Sequence, residues 1–260
     1  MDDLTAFRAA VDPSVLAAAA GYQFDPWQRE VAVHATAPGS RLLVAAGRQV
    51  GKSTCQAVLG VWFALYRPQY DVIVAAPAVH QSTALITTMR KICRRADVPL
   101  ARDAATSLEL AESGGKIRAV PAGVGARGYT AGLLITDESA FISDSAVSEA
   151  LAPTLAAVPG GGAWVATSSP NGERGWWWDA WANGGDSYQR WHVPWNMCPR
   201  LSQDFVEHYR RTRPRHVFAQ EFEADFVSSS RGIWAPALID SMFVDDDELP
   251  FELPLMREAA

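Results

Sequence analysis

Arg41-Leu42-Leu43-Val44-Ala45-Ala46-Gly47-Arg48-Gln49-Val50-Gly51-Lys52-Ser53-Thr54 decides how the rest of this sequence is read. An apolar run with β character ends at Ala46, two glycines frame a short loop, and Lys-Ser-Thr opens a segment of helical texture. Strand, loop and helix in that order are the grammar of a phosphate cradle. Glycines let successive backbone N–H groups curl toward phosphate oxygens, and the helix N-terminus adds partial positive charge there. Gly47, Arg48, Gln49, Val50, Gly51, Lys52, Ser53 and Thr54 are therefore the candidate nucleotide-binding residues. Lys52 is placed to reach the β- and γ-phosphates, and the Ser53 hydroxyl to ligate Mg²⁺. The pattern departs from G-x-x-x-x-G-K-[ST] at its first position, where Ala46 stands, and Arg48 adds a cation inside the loop. The simpler alternative is a strand-to-helix turn that happens to contain Gly-Lys-Ser.

The 260 residues are 48% hydrophobic and 20% charged, enough for one large α/β domain or a domain with an appendage. Cys55, Cys93 and Cys198 are odd in number and far apart, without Cys-x-x-Cys spacing, so reduced and mostly buried thiols are expected. No run of about 18 apolar residues is available to span a bilayer, and Met1-Asp2-Asp3 lacks a basic secretory n-region; a cytosolic location is expected, with no membrane partner. A net charge of −6 argues against a uniformly basic surface but leaves room for a locally basic groove.

Upstream of the loop, Asp2 to Ala20 predicts one or two short helices, with Asp12-Pro13 starting the second. In Gly21-Tyr22-Gln23-Phe24-Asp25-Pro26-Trp27-Gln28, a glutamine amide beside aromatic residues matches the N6 and N7 edge of adenine. A packed corner with Asp25 capping a helix is the equal alternative. Downstream, Asp71 to Pro77 predicts a buried parallel strand, Val79 to Ala96 a long helix, and Ser107 to Leu110 with Lys116 to Val120 a hairpin. Arg90, Lys91, Arg94 and Arg95 on that helix form either a solvated face or a backbone-contacting patch.

The second decisive stretch is Gly132-Leu133-Leu134-Ile135-Thr136-Asp137-Glu138. It sets two carboxylates at the carboxyl end of a strand, where open α/β sheets bind ligands. Asp137 would support Mg²⁺ through its water, and Glu138 would polarise the attacking water as general base. Arg127, in the glycine-rich loop ahead of this strand, could reach a γ-phosphate of its own or a neighbouring subunit; an exposed loop arginine is otherwise simply solvated. One strand later, Ala163 to Thr167 runs into Ser168-Ser169-Pro170-Asn171-Gly172, either a plain turn or a γ-phosphate sensor whose hydroxyls and amide change partners when phosphate leaves. Trp176 to Trp181 reads as a short aromatic helix, with Trp177 and Trp181 as a core stripe or, less simply, a base-stacking platform. Gln189 to Trp195 predicts a last strand, and Ser202 to Arg211 and Arg215 to Phe226 two polar helices. The run Asp245-Asp246-Asp247-Glu248 reads as a solvated tail, with a metal site as the lesser alternative.

From about Gly21 to Phe226 the sequence resembles the ATPase half of a tailed-bacteriophage terminase large subunit. The marks are the deviant loop Gly47 to Thr54, Pro26-Trp27-Gln28, Leu134 to Glu138, the segment Thr167 to Gly172, and Gln220-Glu221-Phe222. The resemblance implies a P-loop NTPase with a RecA-like, mostly parallel sheet of the additional-strand, catalytic-glutamate class. It implies an ATPase core over 1–195, a small helical lid over 196–227, and a tail over 228–260 leading toward a nuclease domain that the chain lacks. It further implies ATP and Mg²⁺, with Gln28 reading adenine and Arg48, Lys52, Ser53 and Thr54 holding phosphates and metal. Arg127 would be an arginine finger given in trans, and Ser168, Ser169 and Asn171 would couple hydrolysis to movement. The implied partners are double-stranded DNA, the portal protein, a small terminase subunit and further copies in a ring, at the procapsid portal in the cytoplasm of the infected bacterial host. Two other readings compete: a helicase-like remodeller, for which a second RecA-like domain has no room, and a slow nucleotide-dependent assembly switch.

Overall fold

The computed structural model describes residues 3–228. Two helices, α1 (Asp3–Val11) and α2 (Pro13–Ala19), the second capped by the Asp12 carboxylate on Ser14 N at 2.8 Å, lead into α3 (Pro26–Ala35). The chain then alternates through β1 (Arg41–Ala46), α4 (Lys52–Tyr66), β2 (Asp71–Ala76) and α5 (Val79–Arg95). A meander of β3 (Leu100–Ala104), β4 (Ser107–Leu110) and β5 (Lys116–Pro121) follows. After β6 (Ala131–Thr136) come a single turn α6 (Asp144–Ala146), β7 (Ala163–Ser168), α7 (Gly175–Asn183), β8 (Gln189–Val193), α8 (Gln203–Thr212) and α9 (Arg215–Phe218).

All eight strands share one sheet in the order β3-β4-β5-β2-β6-β7-β1-β8, antiparallel through the meander and parallel from β5 to β8. The strand β7 lies between β1 and β6, so the strand before the Gly47–Thr54 loop and the acidic strand are separated by one inserted strand. This is the RecA-like arrangement that the resemblance implied. Register brings Ala45 beside Ser168 and Thr136 beside Ala166, which lines up the carboxyl ends of β1, β7 and β6 on one edge of the sheet.

The near-continuous apolar runs follow from burial on both faces. Leu42, Val44 and Ala46 of β1 join one core cluster with α3, α4 and α5, while Leu43 and Ala45 join a second cluster with α7 and the turns around Leu151 and Leu155. Trp62 of α4 is fully buried and donates to the Ala9 carbonyl at 2.6 Å, tying the entry helices to the first layer. In α7, Trp177 is buried and Trp176 stacks on Trp164 at 5.3 Å, so the aromatic helix belongs to the core. A third, small cluster of Val206, Phe218 and Phe222 is packed by Trp195 and Tyr209. The three cysteines are free and buried, and burial pushes the Cys55 and Cys93 thiols up to about 12. Among the described residues no helix is long and apolar enough to cross a membrane.

Two elements differ from expectation. The strand β3 is an edge strand carrying Arg102 and Asp103 on exposed positions, so its sequence lacks the apolar alternation of a half-buried strand. Arg90 holds it from α5 by donating to the Ala104 carbonyl at 2.8 Å, which gives that member of the α5 cations a structural partner. The expected helix from Arg215 to Phe226 instead widens into a π-type turn over Ala219–Glu223 and stops at Ala224, whose φ is 59°. The run Asp245 to Glu248 lies outside the described residues.

The hairpin tip between β4 and β5 offers a test of the packing against α4. Ser113 donates to the Ala64 carbonyl at 2.8 Å, and a Cβ on Gly115 would lie 1.9 Å from that same oxygen, whereas Gly114 faces open space with φ +71°. Gly115→Ala is expected to lower the urea unfolding free energy by about 3 kcal/mol or more. Gly114→Ala should lose only roughly 1 kcal/mol, the cost of a left-handed non-glycine residue.

Candidate nucleotide site

The loop after β1 is pinned from three sides. Gly47 N donates to the Val193 carbonyl at 2.9 Å, Arg48 N donates to the Glu221 carbonyl at 2.7 Å, and buried Val50 holds the underside. A Cβ on Gly47 would lie 2.6 Å from the Phe222 carbonyl, so only glycine admits this approach of the π-type turn. Two residues take left-handed backbone: Gly51 at φ 100°, where glycine is unstrained, and Gln49 at φ 63°, where a side chain is not. The Arg48 guanidinium, largely exposed, pairs with the Glu221 carboxylate.

Lys52 opens α4 and folds its ammonium back across the loop, donating to the Ala46 carbonyl at 3.0 Å and the Gly47 carbonyl at 2.9 Å. Burial pushes its pKa down, and the charges of Glu138 and then Asp137 pull it back up. The two carboxylates show the converse: burial raises both, and Lys52 is the main opposing influence on each. The cation and the acidic pair therefore share one poorly solvated space. Glu138 itself stands in the left-handed region at φ 49°, a conformation worth roughly 1–3 kcal/mol of strain that turns its side chain off the end of β6.

The strand β7 supplies the polar filling between them. Thr167 Oγ1 donates to Asp137 Oδ1 at 3.2 Å and accepts from Gln56 Nε2 at 2.9 Å, and Ser168 Oγ donates to Glu138 Oε2 at 3.4 Å. Ser169 follows in a buried position. Gln56 is missed by sequence reasoning; its one signal is a lone amide within the otherwise apolar run Cys55 to Leu59, four residues past Lys52 and fully buried.

Other expected residues sit elsewhere or are otherwise engaged. Gln28 reaches the loop, but its Oε1 accepts from Asp25 N at 2.8 Å and its Nε2 donates to the Gly51 carbonyl at 2.9 Å. The corner reading of this stretch is thus present in the structure, with Gln28 closing the start of α3. Asn171 accepts from Arg174 through both its backbone and side-chain oxygens, at 3.2 and 3.3 Å. Arg127 pairs with Glu149 at 3.1 Å, both more than half exposed.

A cleft of about 740 Å³ opens beside the loop, its wall including Tyr22, Phe24, Gln28, Lys52, Ser53 and Arg200. Lys52 belongs both to this wall and to the field of the acidic pair. Ser53 is exposed on the cleft wall, and a serine hydroxyl and a carboxylate such as that of Asp137 are ligands of the hard-oxygen kind that Mg²⁺ takes. Among the described residues no group of three or more His, Cys, Asp or Glu is placed to hold a metal by itself, so such an ion would depend on phosphate and water for its remaining ligands.

No family model and no curated protein matches the sequence. Solved structures do. The ATPase domain of the large terminase from Thermus phage P74-26 superposes with a TM-score of 0.69 at 24% identity, over 81% of this chain and 97% of that one. The fold is that of phage large-terminase ATPase domains. The large terminase from a thermophilic bacteriophage, solved in complex with ADP, matches at TM-score 0.65 and 16% identity over 78% of this chain and 54% of its own. That of bacteriophage HK97 matches at 0.62 and 13%, over 78% and 50%. The chain thus spans about half of each of these two longer proteins.

The Gln56–Thr167–Asp137 chain can be tested directly. Thr167→Val keeps the side-chain shape but strips both hydrogen bonds, leaving Gln56 Nε2 only its 3.4 Å bond to the Thr136 carbonyl and taking one donor from Asp137. A loss of about 1–3 kcal/mol in unfolding free energy is expected, with Thr167→Ser recovering most of it.

Proposed function

We propose that this chain hydrolyses ATP and uses the reaction to drive double-stranded DNA into a viral procapsid. The observation that carries the reading is the alignment of the carboxyl ends of β1, β7 and β6, which brings the Lys52 loop and the Asp137–Glu138 pair to one edge of the sheet, with Thr167 and Ser168 of the intervening strand bonded to the two carboxylates. A cationic loop suited to a triphosphate and a carboxylate suited to accept a proton from water are the two parts that anhydride hydrolysis requires.

In this mechanism the loop amides from Gly47 to Thr54, with Arg48 and Lys52, hold the phosphates. Ser53 and Asp137 would hold Mg²⁺, which would supply charge neutralisation to the phosphates. Glu138, raised in basicity by burial, takes the proton of the attacking water, and Ser168 orients its carboxylate. Lys52 gives up its loop carbonyls for the phosphoryl oxygens and balances the charge that develops on them. Arg127, on an exposed loop, acts on the γ-phosphate of a neighbouring copy in a ring. Ser168, Ser169 and Asn171 report phosphate loss to the 196–227 helices, which serve as a lid on the 1–195 core. The assembly works at the portal protein with a small terminase subunit, in the cytoplasm of the infected host. The structures of the thermophilic-phage terminase with ADP and ATP-γ-S support the choice of nucleotide by likeness of fold.

Glu138→Gln and Lys52→Ala are each expected to lower ATP turnover by well over 10² in a phosphate-release assay. A Glu138→Gln variant with undiminished turnover would instead favour a slow assembly switch. The pH–rate profile should be narrower than free side chains would give. Its acid limb lies above the ordinary glutamate value of 4.5, because Glu138 must ionise against burial, and its alkaline limb below the ordinary lysine value of 10.5, because burial eases proton loss from Lys52. If Arg127 acts in trans, mixing Arg127→Ala with Lys52→Ala should partly restore activity that neither has alone, and dilution of the wild type should reduce its specific activity.

A further inference from the structure

We infer that Arg200, locked in plane by Asp25, is the plate on which the nucleotide base stacks, an assignment that rests on the nucleotide reading above. Asp25 is buried, and its two carboxylate oxygens accept from the two terminal nitrogens of Arg200 at 2.7 and 2.6 Å. This end-on fork fixes the guanidinium while leaving its flat faces unused by the pair. The Arg200 side chain is 53% exposed although its partner is only 6% exposed, so the plate is anchored from below and open above.

Its position is right for the base end of the cleft. Lys52, Ser53 and Thr54, which would meet the phosphates, line the same cleft as Tyr22, Phe24 and Arg200. Arg200 also overhangs the loop itself: a Cβ on Gly51 would lie 3.4 Å from its Nη2. Gln28, the residue whose chemistry suits an adenine edge, has both ends of its amide committed to the backbone of Asp25 and Gly51. It acts as a strut that fixes Asp25, and through it Arg200, relative to the phosphate loop. A guanidinium whose charge is already matched by Asp25 has little left to attract another phosphate, but its face still takes an aromatic ring. The class of ligand is therefore a purine nucleoside triphosphate, because a stacking platform favours the larger ring system and reads little else.

Titration calorimetry with ATP, CTP and inorganic tripolyphosphate, each with Mg²⁺, tests this. Wild-type protein should bind ATP more tightly than CTP or tripolyphosphate. Arg200→Ala should weaken ATP by about tenfold or more, as loss of a base-stacking partner does, and leave tripolyphosphate within about twofold. Arg200→Lys should fail to restore ATP affinity, since it keeps the charge and loses the plate. The assignment is overturned if Arg200→Ala leaves ATP affinity unchanged, if tripolyphosphate weakens in step with ATP, or if Arg200→Lys behaves as wild type. Tripolyphosphate binding by Arg200→Ala also shows that the variant folds. Wild-type protein that binds neither ATP nor tripolyphosphate would overturn the nucleotide reading itself and the stacking plate with it, an outcome distinct from loss of the plate alone.

Discussion

The arrangement depends on one partly dehydrated cation, Lys52, within the electrostatic field of two carboxylates. Each of the three groups is pushed by burial toward its neutral form and returned toward its charged form by the opposite charge beside it. Such a balance holds only if the separations are fixed, because the attraction falls with distance while the desolvation does not. The fixing is done by the sheet. Lys52 follows β1, the acidic pair follows β6, and β7 fills the interval with Thr167 and Ser168, whose hydroxyls serve the carboxylates directly. A small polar residue at each of those two positions lets three strands end side by side with a donor for each carboxylate.

Among the described residues four that are not glycine take left-handed backbone, and two of them flank this site. Gln49 and Glu138 both take left-handed backbone without being glycine, and they lie on opposite sides of the site, in the loop after β1 and the turn after β6. The apolar runs of the core strands and helices pack in ordinary extended or helical conformations. The local cost of these two residues is small beside the packing of the sheet that enforces it. At the second of them the Glu138 carboxylate accepts from Ser168 at the end of β7.

Much of the fold was legible because its central strands are buried on both faces and its helices are long. Apolar runs ending at Ala46, Ala76 and Thr136 announce themselves, and Gly-Lys-Ser after the first and Asp-Glu after the third fix which edge of the sheet matters. The strand β3 did not announce itself because an edge strand with Arg102 and Asp103 has no buried face to pattern. The widening of the last helix at Ala219 was hidden because its residues are ordinary helix formers; the turn follows the docking of Glu221 and Phe222 on the loop. Side-chain partnerships were the least legible part. Gln28 and Gln56 are both amides in or beside apolar helices, and nothing in their neighbours says that one braces Asp25 and Gly51 while the other meets Thr167 from a distant strand. Pairing of this kind is set by tertiary approach, which one-dimensional periodicity does not encode.

The contacts of Arg48 link this site to the helices that follow β8. Its backbone N–H meets the Glu221 carbonyl and its guanidinium meets the Glu221 carboxylate, while the neighbouring Gly47 abuts Phe222. The loop that would hold phosphates is thus also a surface on which the π-type turn is seated. On the proposed reading, a triphosphate and Glu221 are two anions offered to one guanidinium, and occupancy by one weakens the hold of the other. Linkage makes this reciprocal: whatever free energy phosphate binding removes from the seating of Ala219–Glu223, that seating removes from phosphate binding. Because Phe222 also belongs to the cluster with Val206, Phe218 and Tyr209, a shift at Glu221 acts on the whole small core of α8 and α9. The glycine at position 47 is what permits so close a seating, so the departure of this loop from the usual pattern, alanine first and then Gly-Arg, supplies both the contact surface and the charge that competes for it.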